Sequence, residues 1–153
     1  MSIACRLAVF GLLAVLGLNV AFADDKRLRA YDGQIIISPD KVPTDADALH
    51  TFLQANATKD RRYALIKGPP WDINLVAVLS KEPAAGPVTL VFADAADKKL
   101  TPLQSIDVSS KNRLVLAHTS ATIAAGFAAN KTYVVQIIQK TTTLARAELE
   151  LRN

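Results

Sequence analysis

The chain has 153 residues, half of them hydrophobic, with 18 Lys and Arg against 14 Asp and Glu, two histidines and one cysteine. The net charge of +4 is spread through mixed stretches such as "DDKRLR" and "RAELELR". No basic block is interleaved with aromatics, which excludes a nucleic-acid surface, and a single cysteine excludes a disulfide scaffold.

The N-terminus "MSIACRLAVFGLLAVLGLNVAFADDKR" places Arg6 before an apolar run from Leu7 to Val20, followed by small residues at Ala21 and Ala23. This pattern predicts a secretory signal peptide over residues 1–23 with cleavage after Ala23. The run is shorter than the roughly 20 residues a membrane-spanning helix needs, so no transmembrane span is expected after processing. Residues 24–153 then form a single domain in the periplasm or outside the cell. Cys5 precedes the apolar run, whereas an acylated lipoprotein cysteine stands at its end; it leaves with the leader, and thiol chemistry leaves with it. The processed chain is long enough to bury one core without staples.

"GQIIIS" reads as a strand. "PTDADALHTFLQANAT" has helical spacing at Ala46, Leu49 and Leu53, with Phe52 beside them, Thr44 as the expected N-cap and Asp47 at the capping-box position. "RRYALIK" reads as a short strand. In "WDINLVAVLS", Trp71, Ile73, Leu75, Ala77 and Leu79 share one face, and the other face turns apolar at Val76 and Val78, as in an interior strand. Pro83, Gly86 and Pro87 break the run before "VTLVFAD", which predicts a hairpin between these two strands.

"ADAADKK" supplies the next turn, "LQSIDVSS" and "RLVLAHTSAT" two more strands. The last two, "TYVVQIIQK" and "TLARAELELR", flank a turn at Thr141 to Thr143. In the final strand Arg146, Glu148, Glu150 and Arg152 face water and guard a terminal edge. About eight short strands with one early helix predict an all-β fold: an antiparallel Greek-key sandwich with one short helix inserted near the N-terminus.

Within "FAANKTY", Phe127 stands six positions before Tyr133 at the start of the penultimate strand. This resembles the tyrosine corner of immunoglobulin-like and fibronectin type III-like sandwiches, although Phe127 replaces the usual Leu, Ala129 a common Pro, and the paired cysteines of antibody domains are absent. The resemblance covers roughly residues 72–152. It implies that the Tyr133 hydroxyl bonds backbone a few residues upstream and that its ring is structural; it implies a fold and no activity.

Catalytic groups are scarce. His50 and His118 are far apart in sequence, so no His/Cys metal spacing exists and neither metal nor cofactor is expected. His50 lies off the apolar helix stripe and reads as solvated. His118 with a Ser or Asp is the one arrangement that would make a small hydrolase, but no G-x-S-x-G accompanies it. Asp94 and Asp97 are oxygen ligands in type, yet beside Lys98 and Lys99 they read as turn residues accepting backbone N–H bonds. "KGPP" lacks the N–H donors of a phosphate loop. Trp71 reads as a cap on the end of the core; its competing role is a ligand platform with Tyr31 and Tyr63 as companions.

These readings predict a non-enzymatic, exported binding or accessory module of a bacterial envelope, with another envelope protein or a glycan as partner. The alternatives are a subunit of an envelope assembly joined through an edge strand such as "GQIIIS", and the His118 hydrolase.

Overall fold

The computed structural model describes residues 26–153. The expected signal peptide, its cleavage site and Cys5 lie outside the described residues. Among the described residues, no helix is long and apolar enough to cross a membrane. A 3-10 helix, Lys26–Tyr31, precedes strand β1 (Gln34–Ser38), helix α1 (Ala46–Asn56), β2 (Arg62–Leu65) and β3 (Trp71–Val78). Five strands follow: β4 (Val88–Asp94), β5 (Pro102–Val108), β6 (Leu114–Ala121), β7 (Lys131–Gln139) and β8 (Thr142–Leu151).

All eight strands belong to one mixed, nearly closed sheet in the order β5-β4-β7-β8-β1-β3-β6, with β2 also against β8. The sheet wraps a single apolar core to which every strand contributes. Three expectations about pairing are corrected. The sheet is not purely antiparallel, because β1 meets β8 in parallel at Gln34 and Arg146, and β2 runs parallel to β8 from Arg62–Glu148 to Leu65–Leu151. Parallel neighbours need a long connection, and most of the domain lies between β2 and β8, so no local turn announces the pair.

The expected β3–β4 hairpin does not form either. β3 pairs with β1 and β6, while β4 pairs with β5 and β7. The reason is burial: Ile73 to Val78 are buried on both faces of β3, so the strand sits inside the sheet, and the "LSKEPAAGP" link carries the chain to the opposite half. The second face of β3 is held in part by Asn74, whose Nδ2 donates to Pro39 O at 3.0 Å. Finally, β8 is not an edge, and neither is β1, whose Ile35 and Ile36 are fully buried between β3 and β8. The outer strands of the order are β5 and β6.

The β7–β8 hairpin does form, and its tight turn is Lys140–Thr141, one residue earlier than the Thr run suggested; Lys140 takes φ 55°. Helix α1 buries Leu49, Phe52 and Leu53, and its N-cap is Asp45 rather than Thr44. Asp45 Oδ1 accepts from the N–H of Asp47 at 3.1 Å and of Ala48 at 2.9 Å. A carboxylate satisfies the orphan donors and the positive helix end together, which a neutral hydroxyl does less well. Asp47 instead pairs with Arg27 of the 3-10 helix at 3.1 Å.

Candidate binding site

A concavity of about 540 Å³ lies between the β3–β4 link and the β7–β8 hairpin. Its position follows from how β3 ends. Past Val78, Leu79 N–H donates to Arg113 O at 2.7 Å and Ser80 N–H to Leu144 O at 2.8 Å. Only then does Pro-rich chain leave the sheet, so Lys81, Glu82 and Pro83 stand opposite Lys140, Thr141 and Thr142.

The wall between the two segments is fixed by one side chain. Gln139 Nε2 donates to Ala84 O, and Gln139 Oε1 accepts from Ala84 N–H, both at 2.9 Å. A side-chain amide thus imitates a strand pair and ties down a loop that has no strand partner of its own. Two ammonium groups, one carboxylate and neighbouring threonine hydroxyls around Pro83 and Leu144 suit a polar, hydroxyl-bearing ligand of net negative charge.

A smaller cleft of about 280 Å³ lies on the outer face of β2, β7 and β8, lined by Arg62, Tyr63, Thr132, Glu148 and Glu150. Its carboxylates are already matched. Glu148 pairs with Arg62 at 3.1 Å and Glu150 with Arg152 at 2.6 Å, and that second pair holds Glu150 below its ordinary pKa.

The three aromatic candidates are not brought together as a platform. Trp71 is wholly buried, with its indole Nε1–H donating to Arg152 O at 2.7 Å, so it presents no face to a ligand. Tyr63 is buried and its hydroxyl accepts from Thr58 N–H at 3.4 Å. Tyr31 is half-buried against the core. Among the described residues, ring contacts join Phe92 to Phe127 and Phe127 to Tyr133, and none joins these three.

His118 is exposed on β6, directly across from Asn74. Ser120 and Asp72 share its neighbourhood, but Ser120 Oγ donates to Asp72 Oδ1 at 2.9 Å. An activated serine needs the imidazole within hydrogen-bond reach of its hydroxyl, with the carboxylate behind the imidazole. Here the carboxylate takes the serine proton donor itself. His50 is half-buried on α1 rather than solvated, with Nδ1 enclosed and without a hydrogen-bond partner.

Among the described residues, no group of three or more His, Cys, Asp or Glu is placed to hold a metal ion. Asp94 Oδ1 accepts from Ala96 N–H at 2.9 Å and its other oxygen meets Lys131 Nζ. Asp97 accepts from Lys99 and Thr101 N–H, each at 2.9 Å. Both carboxylates are therefore turn residues. The Lys131 bond, then the Ala96 N–H, lowers the pKa of Asp94; the Thr101 and Lys99 N–H groups lower that of Asp97.

The sign of the linkage follows. A depressed folded-state pKa contributes stability that is fully present above the unfolded value, about 3.9, and is lost as pH falls through the folded value. Asp97→Asn keeps an acceptor oxygen but cannot titrate. Its destabilisation relative to the natural chain is expected to be largest above about pH 4 and to shrink on acidification, as read by urea unfolding across pH. A difference that stays constant with pH would mean that the Asp97 charge does not strengthen the turn.

The groove residues were missed by sequence reasoning. A Pro/Gly-rich link and a Thr-rich turn were both visible, but nothing local says that Gln139 reaches Ala84. Comparisons with protein-family profiles, with curated proteins and with solved structures gave no match.

Proposed function

We propose that this chain is an exported, non-catalytic binding module of a bacterial envelope, built as an immunoglobulin-like sandwich, and that it engages an acidic glycan in the groove between the β3–β4 link and the β7–β8 hairpin. The sandwich reading is supported by how the strand order divides: β1, β3 and β6 make one half, and β5, β4, β7 and β8 the other, with the β3–β4, β5–β6 and β6–β7 links passing between halves. It is supported locally by the Tyr133 hydroxyl accepting from Ala128 N–H at 2.8 Å, the bond a tyrosine corner requires.

The observation that carries the binding role is the pinned wall. Loops at the ends of sandwiches carry ligand contacts, and a loop held by two side-chain bonds loses less entropy on binding. The exposed Ser120–Asp72 bond favours binding over hydrolysis.

The test is a titration of the isotope-labelled protein with an acidic oligosaccharide, followed by amide NMR. Shifts are expected at Lys81, Gln139, Lys140 and Thr141. Two exposed ammonium groups each contribute up to about 1 kcal/mol, so Lys81→Ala with Lys140→Ala should weaken binding by roughly tenfold. Shifts confined to other surfaces, or unchanged affinity in the double variant, would remove the groove as the site.

A further inference from the structure

The two strands that end the strand order, β5 and β6, are treated differently. β5 carries several devices that discourage pairing: Pro102 has no N–H, Asp107 is charged and exposed, and the register slips between Phe92 and Ala93. β6 carries none of them. "LVLAHTSA" has no Lys, Arg, Asp, Glu or Pro, and its register with β3 is unbroken across all eight residues, Trp71–Ala121 to Val78–Leu114.

Backbone direction along β6 can be assigned. Leu79 N–H donates to Arg113 O across the β3–β6 pair, which makes Arg113, and every second residue after it, the ones bonded to β3. Leu114, Leu116, His118 and Ser120 then point their N–H and C=O away from the sheet. Lys111 closes both groups of Leu114, with its N–H donating at 2.8 Å and its C=O accepting at 2.9 Å. Three residues remain, Leu116, His118 and Ser120, whose outward backbone groups meet no partner among the described residues.

We infer that β6 is a pairing edge and that its occupant is β6 of a second copy, antiparallel about a two-fold axis at His118. The three open residues are symmetric about His118, so this register sets His118 against His118 and Leu116 against Ser120 in both directions. Each open N–H then meets an open C=O. Any other two-fold register leaves at least one of them unmatched or collides with the closed Leu114. No like-charged pair is created, because the strand has no formal charge and Arg113 falls beyond the paired stretch, opposite Ile123. An interface of this kind is isologous and closes on itself, which limits the assembly to a dimer. It makes the envelope-assembly reading concrete without β1, and it is independent of the groove.

Opposed residues in a hydrogen-bonded antiparallel pair have Cα atoms about 5.5 Å apart, inside the roughly 4.4–6.8 Å range of disulfides. His118→Cys in the chain carrying Cys5→Ser should therefore form a covalent dimer on mild oxidation that reductant dissolves, while Ser105→Cys on β5 stays monomeric. The natural chain should be dimeric by light scattering. His118→Lys, which changes only an exposed side chain, should make it monomeric with an unchanged circular dichroism spectrum, since it sets two ammonium groups face to face. A natural chain that is monomeric throughout a dilution series, equal cross-linking at Ser105, or a pure monomer that captures a strand only from envelope extract would each overturn the second-copy assignment.

Discussion

Trp71→Ala is expected to destabilise the domain by about 3 to 5 kcal/mol, the range for removing a large aromatic from a packed interior. The indole is wholly buried at the start of β3, on the face that continues through Ile73 and Leu75, and its N–H fills the carbonyl of Arg152 just past β8. It therefore ties the first residue of one strand to the last turn of chain on another. Its fit is close: a Cβ built on Gly68 would lie 2.5 Å from the ring carbons Cγ and Cδ1, so the glycine before the prolines makes room for the ring. Trp71→Phe separates the two contributions, since it keeps most of the ring and gives up the hydrogen bond, worth about 1 kcal/mol. Denaturant unfolding measures both. Trp71 is the only tryptophan, so its emission should be blue-shifted and resistant to quencher in the folded state. A red, readily quenched emission, or a cost below about 0.5 kcal/mol, would place the indole in water.

Tyr133→Phe is expected to cost about 1 to 3 kcal/mol through a single oxygen. Tyr133 is 1% exposed, and its ring packs at 5.0 Å against Phe127, which in turn meets Phe92 edge-on at 5.7 Å. The substitution preserves all of this aromatic packing. It removes only the acceptor for Ala128 N–H, in the link that brings the chain from β6 to β7. The same link lies close to β5, because a Cβ on Gly126, at φ 95°, would fall 2.9 Å from Leu103 Cδ1. Equilibrium unfolding in urea is the measurement, with an unchanged slope expected because the surface exposed on unfolding is the same. A difference within about 0.5 kcal/mol would mean that the hydroxyl bond does not hold the corner.

The strands themselves were legible because their signals are local. Alternation in "RAELELR", β-branched runs in "QIII" and "YVVQII", and breaks at Pro83, Gly86 and Asn112 need no knowledge of the rest of the chain. The same holds for the existence of helix α1 and for Asp94 and Asp97 as turn residues. The helix cap lies one residue beyond the expected Thr44, since Thr44 and Asp45 are both good caps and only the bonds to Asp47 and Ala48 N–H choose between them. Partners were less legible. Adjacency in sequence predicts a β3–β4 hairpin, whereas the two edges of β3 pair with β1 and β6.

By itself, then, the sequence determined that this is a β-rich chain with one short early helix, that Trp71 belongs to an apolar strand face, and that it holds two histidines and one cysteine. Those properties reside in side-chain periodicity and composition, which each segment carries alone. Only the tertiary structure decided that β8 lies inside the sheet, that β6 ends the strand order of the described residues, and that Gln139 reaches across to Ala84 to fix a groove wall. Each of these joins segments far apart in the chain, the last across 55 positions. Such contacts are selected by how the whole core closes, because a strand buried on both faces must find two neighbours wherever the chain supplies them.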